Sequence, residues 1–190
     1  QYVFGPNMAG FDLQDYLQKN APHLLPLHDD LLFWSAYASI NPRVLLTLIE
    51  MRTGLVSRPP VDPARLQNLF ARREVSASRQ LEAVTDRLNR AFYRRLYHQL
   101  SGQTVQDQNG VTVPLPGNLN AASFALADAL ADSANSKAIT DSLDPDRAAG
   151  FVAIYRRLFP TDDPLEASGF ALAPESPPPT DLLQLPYSLG

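Results

Sequence analysis

The side chains able to do metal or nucleophile chemistry are few and scattered in this sequence. Its three histidines, His23, His28 and His98, form no His-x-His, His-x-x-x-His or His-Glu pair, the spacings that bring metal ligands together on one local element. There is no cysteine, which removes disulfides, thiolate zinc sites and a cysteine nucleophile together. Serine, histidine and aspartate all occur, but no glycine elbow surrounds a serine, and neither a phosphate loop nor a dinucleotide fingerprint is present. The residues therefore assign no catalytic, cofactor-binding or metal-ligating position within the chain.

Two clusters carry binding chemistry instead. Arg87, Arg90 and Arg94, followed by Arg95, recur at helical spacing, with Asp86 placed to pair with Arg90 at i,i+4. They read as a solvated helix face or as a basic surface for an acidic partner. Asp107, Asn109 and Gly110 form the second cluster, because Asn-Gly between β-branched residues favours a tight hairpin turn.

These clusters need elements to position them. Apolar residues at Leu81, Val84, Leu88, Phe92, Leu96 and Leu100 define one face of a long helix over 78–100, the expected central scaffold. Asn41-Pro42, Asp62-Pro63 and Asp144-Pro145 each place a capping side chain before a proline, predicting three helix starts. Shorter helices are expected in "FDLQDYLQKNA", "HDDLLFWSAYASI", "NLNAASFALADALADSA" and "DPDRAAGFVAIYRRLF", with Trp34 and Tyr37 in the core. The expectation is a mainly α-helical domain over residues 1–171 with one small hairpin between Gln103 and Leu115. Residues 172–190 begin with the proline-rich "LAPESPPPTD", which reads as an extended linker. The chain opens at Gln1 without a signal-like segment and reads as a processed or cloned piece.

Charge narrows the class of partner. The net charge of −4 divides into −3 over residues 1–42, +6 over 43–95 and −7 over 96–190. Such a split predicts complementarity within the chain or with a protein partner rather than nucleic-acid binding, which favours a basic domain. No apolar run approaches the roughly 20 residues needed to cross a bilayer.

Within "INPRVLLTLIEMRTGL" the stretch from Pro42 to Thr53 resembles the catalytic helix of lytic transglycosylases and related lysozyme-like proteins. Where their catalytic glutamate would fall stands Arg52, followed by Thr53 and Gly54. A guanidinium cannot protonate a glycosidic oxygen at neutral pH. Glu50 lies two residues away, a helical rotation of about 200°, and points elsewhere.

Three further stretches, "AGFDLQDYLQKNAPHL", "SAYASINPRVLLTLIEMRTG" and "LNAASFALADAL", resemble in order the pro-regions of secreted zinc endopeptidases of the staphylolysin and β-lytic type. The closing "LLQLPYSLG" resembles the opening of the mature peptidase. The resemblance implies a bacterial precursor, secreted or periplasmic after signal-peptide removal, whose pro-domain assists folding and keeps the peptidase latent. Its implied partners are the cognate peptidase domain and a processing protease. Zinc belongs to the peptidase, and no cofactor to this segment. The processing zone would lie around Ser168, Ala171, Ala173, Pro174 and Thr180. Either Asp107 or Asn109 would reach the open position of the zinc, with Gly110 in a groove suited to glycine-rich peptides, or the hairpin is surface decoration and inhibition is steric. The alternatives are a cell-wall-binding module with a degenerate lysozyme-like fold, and a glycan-cleaving enzyme whose acid comes from Glu74 or Glu82.

Overall fold

The computed structural model describes residue 2 and residues 10–70, 76–98 and 103–165. Among these lie seven α-helices, two 3-10 turns and one two-stranded antiparallel hairpin, so the fold is mainly α with a small β element.

The first helix, α1 (Leu13–Asn20), starts because the Asp12 side chain accepts from the Asp15 amide, and it buries Leu13 and Leu17. A 3-10 turn over Pro22–Leu27 leads into α2 (His28–Tyr37), whose first turn holds Asp29 and Asp30, where the helix dipole favours acids. Its end is a Schellman cap: Ser39 N donates to Ala36 O and Ile40 N to Ser35 O, with Ser39 at φ 56°.

The third helix, α3 (Pro42–Thr53), begins where the sequence predicts. Asn41 accepts from the Arg43 amide, Pro42 opens the helix, and Gly54 closes it at φ 67°. Every residue from Pro42 to Glu50 is buried, so this helix lies inside the molecule rather than along its surface.

After a second 3-10 turn (Pro63–Gln67), α4 (Ala77–His98) packs most extensively on α5 (Ala121–Ala131). Leu81, Leu88 and Ala91 of α4 and Phe124, Ala127 and Leu130 of α5 belong to one continuous core that also takes in residues of α1 and α3 and Tyr155. The apolar stripe of α4 leaves that core before its end: Leu96 is exposed, and Leu100 lies outside the described residues.

Strands β1 (Thr104–Gln106) and β2 (Thr112–Pro114) pair with Val105 opposite Val113, both turned inward. Five residues, 107–111, join them, rather than a two-residue Asn-Gly turn. Gly110 alone among them takes a positive φ, 75°.

Three helix assignments change. The segment 135–143 forms α6 (Ser136–Leu143), a separate helix capped by Asn135, where the sequence reading saw only the preceding one. Asp144-Pro145 starts no helix: Asp144 accepts from the Asp146 amide in a turn, and α7 (Phe151–Leu158) begins only after Gly150. The turn folds back so tightly that a Cβ at Gly150 would lie 2.3 Å from the Asp144 carbonyl oxygen. Asp62-Pro63 begins a 3-10 turn rather than an α-helix.

Candidate functional site

The helix that resembles a hydrolase's is held by polar ties. Arg52 donates through Nη2 to the Ser133 carbonyl at 2.7 Å, joining α3 to the connection between α5 and α6. Burial lowers its pKa. Glu50, nearly buried, accepts from the amides of Val56 and Ser57 at 3.0 and 2.9 Å and from Arg157 of α7 at 2.8 Å. Both residues act as braces between elements. Glu82, the other acid considered, pairs with Arg79 on the exposed side of α4; Glu74 lies outside the described residues.

Asp107 is turned inward from the hairpin tip. Its Oδ1 accepts from the amides of Asn109 and Val111 at 2.8 and 2.9 Å, and its Oδ2 from the amide and hydroxyl of Ser136 at 2.9 and 2.7 Å. The Ser136 hydroxyl does most to hold the carboxyl below the usual range; burial opposes it, and the amides of Val111, Asn109 and Ser136 add to the lowering. One side chain thus shapes the hairpin loop and caps the first turn of α6. Asn109 and Gly110 remain exposed at the tip.

The arginines of α4 face the acids of α5. Arg87 binds Asp128 at 2.7 Å and also Asp132. Burial pulls its pKa down, but Asp132 and Asp128 outweigh burial and raise it. Arg94 reaches Asp128 at 3.5 Å and lies over the Phe124 ring. Arg90 stays exposed, 3.8 Å from Asp86, as the i,i+4 spacing predicts. Arg95 donates to the carbonyls of Gly117 and Leu119. The positive middle and negative last third of the sequence are therefore complementary inside this one fold.

On α2 the structure corrects an expectation. Tyr37 is 71% exposed and Phe33 57%, stacked with centroids 6.0 Å apart and planes at 14°. Trp34 is half-buried, edge-on to both rings. Its Nε1 donates to Ser78 Oγ at 3.1 Å, and Ser78 donates to Asp30 at 2.7 Å. The run Leu31-Leu32-Phe33-Trp34 is apolar all round, whereas only Leu31 and Ser35 of α2 are fully buried. A continuous apolar run carries no phase, so the sequence could not say which rings face water.

His23 Nε2 contacts the Leu55 carbonyl, 32 positions on, and His28 Nδ1 its neighbour Asp29; the His98 side chain lies outside what the structure describes. No group of three metal-ligating side chains occurs among the described residues. A zinc ion finds no fitting donor set in them. Ser168, Ala171, Ala173, Pro174 and Thr180 all lie outside the described residues. No described helix is long and apolar enough to cross a membrane.

These features describe a mainly α-helical domain whose buried charges brace its own elements and which turns a hairpin tip and two aromatic rings outward. The family described as "LasA, N-terminal domain" matches residues 1–172, and the chain belongs to that family. It is 33% identical over 202 residues to protease LasA of Pseudomonas aeruginosa PAO1, and 32% identical over 198 residues to protease LasA of strain UCBPP-PA14. Both alignments cover the whole of this chain but 45% of the relative, so the chain spans under half the length of these proteins. No solved structure matches it significantly.

Proposed function

We propose that this chain is the pro-domain of a bacteriolytic zinc endopeptidase precursor, exported from the bacterial cell, in which it acts as intramolecular chaperone and inhibitor. The observation that carries this reading is the family match over residues 1–172 to the N-terminal domain of relatives that are more than twice as long and named proteases.

The physics of the role follows from tethering. A domain that binds only the native state of its neighbour stabilises that state by mass action, by about 4 kcal/mol at a thousand times its dissociation constant. On a flexible linker the effective concentration is about millimolar, so an intrinsic affinity near micromolar keeps the peptidase covered about a thousandfold over open. Cutting the linker removes that advantage, and dilution frees the enzyme.

Contact surfaces suited to the peptidase are the exposed rings of α2 and the Asn109-Gly110 tip, with Asp107 holding the tip in shape. Arg90 supplies the exposed charge of the α4 face. No step in this role passes through a zinc ion held by the described residues.

The test adds this polypeptide in trans to the mature peptidase of the same gene. Wall lysis should fall at micromolar concentrations, and recovery of active peptidase from denaturant should rise. Undiminished lysis at those concentrations, with no gain in refolding, would overturn the reading.

A further inference from the structure

We propose that the loop between α3 and the second 3-10 turn is a proteolytic site in its own right, cut after Val61 by an endopeptidase whose primary pocket takes small branched aliphatic side chains. Val61 is 98% exposed, so its side chain is free to enter a protease pocket. Ser57, Arg58, Pro59 and Asp62 around it are exposed too.

A protease groove binds its substrate as an extended strand, and Asp62 already has extended backbone, at φ −108° and ψ 117°. Pro59 and Pro60 fix φ near −65° and favour extended chain. The residues after the bond are easily released. Asp62 caps Ala64 at 2.9 Å, and in the 3-10 turn it starts no residue is fully buried, Leu66 alone resting partly against the core, so opening it uncovers one apolar side chain. The connection between α2 and α3 differs, because Ile40 and Asn41 there are fully buried. Arg58 is followed by Pro59, whose ring obstructs cleavage after the arginine. Ala64 and Arg65 are exposed as well but lie inside the 3-10 turn, so Val61 is the side chain of the open segment that selects the enzyme.

Cleavage is hydrolysis. The oxygen of a water molecule adds to the Val61 carbonyl carbon and the bond to the Asp62 nitrogen breaks. The products are a carboxylate on Val61 and an amine on Asp62, with the proton balance completed by solvent. The halves do not separate at once, since they remain joined by Trp34 to Ser78, Asn89 to the Ala38 carbonyl, Arg52 to Ser133 and Glu50 to Arg157. The nick turns a one-chain fold into a two-piece complex that falls apart on dilution. That this would also relax the hold on a peptidase rests on the function proposed above; the cut itself does not.

The experiment exposes the folded chain to pancreatic elastase at a low ratio and reads early products by intact mass. Among cuts between residues 10 and 165, the first should split Val61 from Asp62, and the two pieces should elute together at micromolar concentration. Val61→Asp and Val61→Lys should each slow that cut at least tenfold, while Val61→Ala keeps it. Circular dichroism confirms that each variant is folded. A first cut elsewhere in that span, or undiminished cleavage of folded Val61→Asp and Val61→Lys, would overturn the proposal. No peptidase is present, so failure here is separate from failure of inhibition.

Discussion

Glu50 and Arg157 form one ion pair, yet the two side chains carry very different weight. Glu50 has 6% of its side chain exposed and Arg157 59%. Removing Glu50 strands the amides of Val56 and Ser57, so Glu50→Ala should cost about 2–4 kcal/mol in urea denaturation. Arg157→Ala should cost under about 1 kcal/mol, as an exposed partner does. Asp107 gives a pH prediction. Its folded pKa lies below its unfolded value, so its contribution is complete above the unfolded pKa, about 3.9, and is lost as pH falls through the folded one. Melting temperatures of the parent should fall below about pH 4, and more steeply than those of Asp107→Asn. Asn109→Ala should leave that profile unchanged. None of this was legible from residue type: the sequence marks Asp107 as a turn residue, but its bonds to Ser136 span 29 positions, beyond any local pattern.

Helix ends are where local chemistry and tertiary structure agree or part. Asn41-Pro42 and Gly54 predict the limits of α3 correctly because cap and stop both lie in the adjacent chain. Asp144-Pro145 carries the same signature and yields a turn, since the backbone at Gly150 must pass close under the Asp144 carbonyl. Gly150→Ala should therefore destabilise by about 1–3 kcal/mol through overpacking against backbone that cannot yield. The end of α2 offers the reverse. Ser39 sits at φ 56° in a position that suits glycine, and Ser39→Gly should raise stability by about 0.5–1 kcal/mol in the same urea assay. The start of α6 had a readable signal in Asn135, which accepts from the Ala138 amide. It is obscured because the alanine-rich run before it looks like one longer helix.

At the scale of the molecule, the class of fold was legible from helical periodicity, whereas the arrangement of helices was not. Stripe length points to α4 as the central scaffold, and α4 makes the most extensive helix pairing, with α5; what the stripe does not show is the depth of α3, buried over nine consecutive residues. The charge division read as partner-seeking or internal is met in part within the chain, by Arg43 against Asp162 and by Arg87 and Arg94 against Asp128 and Asp132. The outward surface also carries aromatic rings, and this has an optical consequence. Trp34 is the single tryptophan, wedged between a hydroxyl of α4 and two solvent-facing rings. The chain's tryptophan emission is thus a label-free gauge of one place. A peptidase seated on α2 should shift it to the blue, and one gripping only the hairpin tip should leave its colour unchanged.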